Sequence, residues 1–235
     1  MQLSVRDVAR IFQVSEAAVY GWVRDGALPA EQINGQYRFN RSTLLEWATL
    51  RKMEVLPAFF QEAGVNGTSG RLDDAIEAGG VLHNVTGADK DAVLRALIQA
   101  VPLPGDFDRE SLLEIFLSRE TLGSTGIGNG LAIPHPRYPI VLPVDMPTIT
   151  VCFLAIPISY ASLDGQPVHT LFAMVSPTAR IHLHLLARLA LALRDPGFLA
   201  VILGKGSAGA IIKEASRIEE LLHKSETRAP ERARS

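Results

Sequence analysis

The regular spacing of apolar residues fades between residues 53 and 70, and small residues collect at the end of that stretch: Gly64, Gly67, Thr68, Ser69 and Gly70. This composition is typical of a flexible connector. We therefore expect two domains, a small one over 1–52 and a larger one over 71–223, joined by a linker over 53–70. Residues 224–235 have no large apolar side chain to anchor them and are expected to be disordered.

Composition and charge exclude several classes of protein. Apolar residues make up 47% and charged residues 20% of the 235-residue chain, which is a globular composition. The net charge of −2 provides no overall field for nucleic acid, so any DNA contact must come from a local surface. No apolar stretch reaches the roughly 20 residues of a membrane helix. Because the single Cys152 lies in an apolar run, we expect a reduced thiol in a cytoplasmic protein without membrane insertion.

The first 52 residues carry the signals of a helix-turn-helix with a wing. Two short helices are predicted, one capped by Ser4 and the other by Ser15, with a tight turn between them. The dipeptide Asn34-Gly35 is a strong hairpin signal and predicts two short strands. A third helix from about Ser42 would close a small core.

The motifs of this head resemble the winged-helix domains of the excisionase and MerR type. The matching segments are Val5-x-x-Val8-Ala9, Val14-Ser15, Val19-x-x-Trp22, Gly26-x-Leu28-Pro29, Tyr37-Arg38-Phe39 and Leu44-x-x-Trp47. The resemblance implies that the second helix enters the major groove of DNA while the wing touches phosphate or the minor groove. The candidate DNA-binding residues are Tyr20, Arg24, Gln36, Arg38 and Arg41.

The charge of the head leaves an alternative open. Residues 1–54 contain seven basic and six acidic residues, and a net charge of +1 is low for a DNA-binding domain. The head could therefore dock on protein, or have lost its DNA contacts. No dimerising helix is evident outside a weak apolar stretch over 50–60, so pairing of two heads into a homodimer also stays open.

The larger domain alternates helical and strand-like patterns. Helices are predicted over 89–101, 109–119 and 179–193, and strands over 148–156 and 168–175. This order predicts an α/β fold, with a mixed sheet covered by helices.

A glycine-rich stretch follows the second of these helices. Glycines at 123, 126, 128 and 130 permit positive φ angles and a close approach of main-chain N–H groups to anionic oxygens. The spacing is not that of a dinucleotide-binding loop or an ATP-binding P-loop, and no cofactor is expected. We predict a phosphate-binding loop formed by Ser124, Thr125, Gly126, Gly128, Gly130 and Arg137.

His135 lies between Pro134 and Pro136, which hold its backbone extended. A histidine with a pKa of about 6.5 offers an unprotonated ring nitrogen as a nucleophile toward phosphorus. A fixed cation would stabilise the transferring phosphoryl group, with Arg119 as the first candidate and Arg137 as the second. The prediction requires a ring that faces an incoming phosphoryl group and is not buried under side chains.

The same stretch resembles the phosphorylated loop of mannitol/fructose-type IIA domains of the bacterial phosphotransferase system, including the nitrogen-regulatory branch. The matching segments are Arg119-Glu120, Gly123 to Gly130, Ala132-Ile133-Pro134-His135, Leu163 to Val168, and His182-Leu183-x-Leu185-Leu186-x-x-Leu189. The resemblance implies a mixed sheet of about five strands flanked by helices. It also implies that His135 accepts the phosphoryl group from an HPr-like carrier, that Arg119 stabilises phosphate, and that His182 supports His135.

His182 and His184 could instead suggest a metal site, because His-x-His can bind zinc from one face of a strand. On a helix, residues two apart point about 200° apart. The leucine spacing predicts a helix here, so at most one of these histidines faces the site and no metal is expected.

Three functions fit these features. The favoured one is a phosphorylation-responsive regulator that accepts phosphate on His135 and binds DNA through its head, acting as a phosphoryl carrier more than as a turnover enzyme. The second is a sugar-transport component that passes phosphate to a IIB domain. The third is a regulator that binds enzymes or transporters and needs no DNA.

Overall fold

A computed structural model describes residues 2–33, 35–40, 43–44, 47–48, 51, 53, 70–105, 107–136, 144 and 146–232. The chain divides into two compact units, 1–67 and 68–235, and the division falls within the expected linker. In the described ranges, no helix combines the length and the apolar character needed to cross a membrane.

The first unit contains the elements of the predicted head. They are β1 (Gln2–Ser4), α1 (Val5–Phe12), α2 (Glu16–Arg24), β2 (Glu31–Ile33) and β3 (Gln36–Asn40). Ser4 and Asp7 form the capping box that starts α1, and Ser15 caps α2. The hairpin β2–β3 is present as predicted, whereas β1 was not predicted and adds a third strand beside β3.

A small aromatic core supports this unit. Phe12 lies edge-on to Trp22 and Trp47, with ring centroids 6.1 and 5.6 Å away. The described residues 43–44 and 47–48 are helical and bury Leu44 and Trp47, as expected for the third helix.

The second unit is an α/β domain built on one mixed sheet. Its elements are α3 (Leu72–Gly79), β4 (Val81–Val85), α4 (Lys90–Ala100), α5 (Arg109–Thr121), β5 (Gly126–Gly128), β6 (Leu131–Ala132), β7 (Thr148–Ile158), β8 (Val168–Val175), α6 (Ala179–Ala192), α7 (Pro196–Leu203) and α8 (Ala208–Arg232). The strand order is β4-β7-β8-β6-β5. Strands β7 and β8 are antiparallel, while β4 and β6 run parallel to their neighbours β7 and β8. The expected five-stranded mixed sheet with flanking helices is confirmed.

The C-terminal segment differs from the prediction. The segment from Lys224 was expected to be disordered, yet the backbone is helical as far as Arg232. Much of its composition is alanine, lysine, arginine and glutamate, which are strong helix formers, so the helix does not need a buried apolar anchor to continue. Farther from the C-terminus, Asp195 was predicted to end the helix over 179–193. In the structure it also caps the next helix, α7.

The sheet is buried on both sides. On one side α4 and α5 pack their apolar residues against alternate residues of β7 and β8, including Cys152, Leu171, Ala173 and Val175. Helix α3 packs against β7, and α8 packs against α3. The pairing of β6 with β8 continues past β6, since the Met174 amide donates to the Pro134 carbonyl at 3.1 Å. This pairing places His135 at the end of the sheet.

Candidate functional site

The glycine-rich stretch forms the hairpin β5–β6, and its glycines are sites of close packing. A Cβ at Gly126 would lie 2.8 Å from the Ser162 hydroxyl, and one at Gly130 would lie 2.3 Å from the His169 ring. Gly128 and Gly130 also have φ angles of +83° and +71°. The neighbouring 162–169 segment therefore leaves no room for a side chain at Gly126 or Gly130, and the backbone conformation also favours glycine at Gly128 and Gly130.

Two main-chain amides of this stretch already have acceptors within the protein. The Gly126 amide donates to the Ser124 hydroxyl at 3.0 Å, and the Asn129 amide donates to Asp164 at 2.8 Å. Of the residues predicted to form the phosphate-binding loop, Gly126 thus has its amide hydrogen bonded within the protein. The Asn129 contact is tertiary, because Asp164 belongs to a turn distant in sequence, whereas the Gly126 contact is local.

His135 follows β6 directly, and its ring is oriented by the backbone. Its Nδ1 lies 2.6 Å from the Ile133 carbonyl oxygen. A carbonyl can only accept a hydrogen bond, so Nδ1 carries the proton and the lone pair of the neutral ring is on Nε2.

The structure brings the three predicted reacting residues together. The rings of His135 and His182 lie 5.1 Å apart between centroids, with His182 in the first turn of α6. Arg119, at the end of α5, is also buried and donates from Nη1 to the Gly123 carbonyl at 2.8 Å. Burial, followed by the charge of Arg119, lowers the pKa of His135 to about 4. Burial, followed by the neighbouring His135 and Arg119, lowers the pKa of His182 to about 3.

The exposure of His135 contradicts the prediction. The ring was expected to face an incoming donor and not to be buried under side chains, yet His135 is only 2% exposed. The His182 ring of α6 lies against the His135 ring and contributes to this burial. Arg137, the second predicted cation, lies outside the described residues.

Four of the candidate DNA-binding residues are described, and they lie on α2 and on β3 of the wing. Tyr20 is 48% exposed, and its ring lies 6.0 Å from that of Tyr37 on β3. Arg24 pairs with Asp25 at 3.4 Å. On the wing, Arg38 donates to Gln36 at 2.7 Å. Arg41 falls in a gap of the described residues.

Each of the two units matches the model of a known protein family. Residues 75–216 match the model described as "Phosphoenolpyruvate-dependent sugar phosphotransferase system, EIIA 2". The chain belongs to this EIIA family. We call residues 75–216 the EIIA unit. Residues 3–51 match a helix-turn-helix domain model, which covers the head.

The relatives of the EIIA unit include nitrogen regulatory proteins and a sugar-transport component. A nitrogen regulatory protein of Pseudomonas aeruginosa is 40% identical over 124 residues, covering 51% of this chain and 78% of the relative. The fructose-specific EIIABC component of Bacillus subtilis is 33% identical over 132 residues, covering 55% of this chain and 20% of that protein. The crystal structure of the nitrogen regulatory protein IIA-Ntr of Neisseria meningitidis superposes with a TM-score of 0.51 at 24% identity, covering 59% of this chain and 93% of that one. This structural likeness shows the fold.

The EIIA unit contains a buried polar network that sequence reasoning missed. Glu120, 8% exposed, accepts hydrogen bonds from the Thr125 hydroxyl, from Tyr160 Oη at 3.2 Å and from Lys90 Nζ at 3.0 Å. The Lys90 ammonium also lies 4.4 Å from the centre of the Tyr160 ring. The only sequence signal was the position of Glu120 beside Arg119. The network fixes the loop after α5 to the helix that carries Arg119.

Thr125 and Ser124 therefore have internal roles in the structure. The Ser124 hydroxyl donates to the Tyr160 carbonyl at 2.6 Å, and the Thr125 hydroxyl donates to Glu120. Both hydroxyl hydrogens are therefore used in contacts within the protein.

His184 lies apart from the site, on the same helix as His182. Its Nε2 accepts from Arg188 Nε at 2.8 Å, and burial followed by the charge of Arg188 lowers its pKa to about 4. Within the described residues, no group of three or more histidine, cysteine or acidic side chains is arranged to hold a metal ion.

Proposed function

We propose that the EIIA unit accepts a phosphoryl group on Nε2 of His135 from a phosphorylated HPr-like carrier, as part of a cytoplasmic regulatory protein of the phosphotransferase system. The observation that carries the proposal is the fixed tautomer of His135 beside Arg119 and His182. A ring held neutral by burial keeps its nucleophilic lone pair at physiological pH.

The transfer exchanges one nitrogen–phosphorus bond for another. The Nε2 lone pair of His135 attacks phosphorus, and the bond from phosphorus to the carrier's imidazole nitrogen breaks, with the electron pair staying on that nitrogen. The proton on Nδ1 remains hydrogen-bonded to the Ile133 carbonyl, so it does not have to move during the transfer. The positive charge of Arg119 offsets the negative charge on the phosphoryl oxygens.

Burial of His135 adds a requirement to the proposal. The sequence prediction required an unburied ring, and His135 is only 2% exposed, so that requirement is not met. We replace it with another: the site must open when the carrier docks. A site that closes over the phosphoryl group would also protect it from water.

The direct test is incubation of the full chain with a phosphorylated carrier, followed by measurement of acid-labile phosphate. We expect transfer to the wild type and to His184→Ala, and none to His135→Ala. His184 is the matched control because it is a partly buried histidine on α6 that bonds Arg188 and not the site. Absence of transfer to the wild type, or transfer that survives His135→Ala, would overturn the proposal.

A sugar-transport role is the second candidate, since one relative is a fructose-specific EIIABC component. We favour regulation because the relative with 40% identity is a nitrogen regulatory protein, and because a helix-turn-helix unit precedes the EIIA unit. Rapid discharge of phosphate from His135 to a IIB protein, with no retention on DNA, would select transport instead.

The regulatory proposal includes DNA binding by the head. The helix-turn-helix match and the exposed Tyr20 on α2 support it, and the wing residue Arg38 is a candidate phosphate contact. The test is retention of the full chain on duplex DNA at low salt, with and without phosphorylation. Absent DNA affinity, together with protein partners whose capture changes in His135→Asp, would favour a regulator of enzymes or transporters that does not use DNA.

A further inference from the structure

Two buried hydroxyl groups at one end of the sheet have no hydrogen-bond partner in the described part of the chain. They belong to Ser176, which is 4% exposed, and Thr148, which is 7% exposed. A buried hydroxyl without a partner carries a desolvation cost, and no hydrogen bond from the described residues offsets it here. Each hydroxyl therefore needs an explanation.

The strand register places Ser176 on the side of the sheet that carries His135. Strands β6 and β8 pair with Leu131 opposite Thr170 and Ala132 opposite Leu171. The bond from the Met174 amide to the Pro134 carbonyl continues this register, so His135 lies opposite Met174.

Side chains two apart on an extended chain point to the same face, so Ser176 shares the face of Met174 and His135. Pro177 keeps the backbone of Ser176 extended, which preserves this alternation one residue beyond β8.

The helix that follows points its positive end toward the same place. Thr178 caps α6, and His182 in the first turn of α6 contacts the His135 ring. Helix N-termini favour anions. Ser176 therefore lies in sequence between the strand end that faces His135 and a helix start that favours phosphate.

The geometry points to Ser176 as a phosphoryl-binding residue, whose hydroxyl donates to an oxygen of the phosphoryl group on His135 Nε2. This inference rests on the proposed function. It explains why an unpaired hydroxyl is kept in a buried position, because its partner arrives only with the phosphoryl group.

Thr148 provides the matched control. It is the register partner of Val175, one residue from Met174, and so lies on the opposite face of the sheet. Its hydroxyl is also buried and also without a partner among the described residues. Removal of either hydroxyl should leave the unmodified fold at least as stable, but only removal of the Ser176 hydroxyl should affect the phosphorylated state.

The experiment brings the full chain to equilibrium with a phosphorylated carrier and measures the ratio of phosphorylated to free His135. We expect this ratio to fall about tenfold in Ser176→Ala, the loss of one hydrogen bond to a charged group, and to stay within about twofold of wild type in Thr148→Val. The ³¹P resonance of the phosphohistidine should shift in Ser176→Ala only. The melting temperature of unmodified Ser176→Ala should equal or exceed that of the wild type.

Failure of this inference is distinguishable from failure of the proposed function. If the wild type is phosphorylated but Ser176→Ala has the same phosphorylation ratio and the same ³¹P shift, only the role of Ser176 is overturned. A lowered melting temperature of unmodified Ser176→Ala also overturns that role alone. If the carrier does not react, phosphoramidate serves as a small-molecule donor. If His135 is phosphorylated by phosphoramidate but not by the carrier, the proposed donor is wrong. The ³¹P comparison between wild type and Ser176→Ala then decides the role of Ser176. No phosphate on His135 from either donor overturns both proposals.

Discussion

Burial sets the protonation state of the two site histidines. The pKa of His135 is lowered to about 4 and that of His182 to about 3, chiefly by desolvation. In the unfolded chain both rings return to a pKa of about 6.5. The folded state therefore binds fewer protons than the unfolded state between about pH 4 and pH 6.5.

This difference predicts an acid-sensitive EIIA unit. Because the unfolded state takes up protons that the folded state excludes, stability is present above about pH 6.5 and falls as the pH decreases toward 4. Each ring contributes a slope of up to about 1.4 kcal/mol per pH unit. Urea unfolding of the full chain between pH 8 and pH 4.5 should show this loss, and His182→Gln should make the slope shallower. The prediction is wrong if the variant and the wild type have the same slope.

Gly130 provides a second prediction at the level of the residue. A Cβ there would overlap the His169 ring, and the φ of +71° is strained for any other residue. We expect Gly130→Ala to lower the free energy of unfolding by about 3 kcal/mol.

Two other glycines separate the causes of this loss. Gly165 has a φ of +69° but no atom near its Cβ position, so Gly165→Ala should cost only about 1 kcal/mol. Gly105 has neither constraint, and Gly105→Ala should change stability by less than about 1 kcal/mol. Equal losses at Gly130 and Gly165 in denaturant unfolding would exclude the proposed overlap with His169.

At the level of elements, apolar periodicity located several of the longer elements, but it missed the longest helix, α8 (Ala208–Arg232). The predicted helix over 89–101 corresponds to α4, and the predicted strand over 168–175 has the bounds of β8. Short elements such as α3, β4 and α7 were missed, because eight or fewer residues carry little periodic signal and depend on their neighbours for stability.

One such neighbour contact holds α3 in place. Glu219 of α8, 2% exposed, accepts from the Leu72 amide at the start of α3 at 2.8 Å and from Arg188 of α6 at 2.5 Å. We expect Glu219→Ala to lower the free energy of unfolding by about 3 kcal/mol, since it removes one partner of a buried ion pair. Glu214→Ala, which removes a partly exposed pair with Arg217, should cost less than about 1 kcal/mol. Chemical denaturation of both variants tests this, and equal losses would contradict it.

For the whole molecule, charge limits how the head can bind DNA. Among the described residues of the head, Arg10 and Arg24 pair with Asp7 and Asp25, which offsets part of its positive charge. Specific recognition by this head would then depend more on groove contacts than on counterion release.

This limit gives a testable salt dependence for the full chain. About three phosphate contacts predict that the logarithm of the binding constant falls with the logarithm of salt concentration with a slope of about −3. Arg38→Ala should reduce the slope by about 1, and Arg10→Ala, which changes a residue on α1, should leave it unchanged. Fluorescence anisotropy with labelled duplex DNA measures these slopes. A wild-type slope steeper than about −6 would mean that cations outside the head bind the DNA.

The sequence by itself determined the two-part organisation, the α/β class and the choice of His135, Arg119 and His182 as the candidate site. These follow from local signals, such as apolar spacing, caps and motif residues, which are present in the chain before it folds. Tertiary structure decided that His135 is buried, that the Asn129 amide bonds Asp164, and that Glu120 bonds Lys90 and Tyr160. Burial and hydrogen-bond partners depend on segments distant in sequence, so no local pattern specifies them.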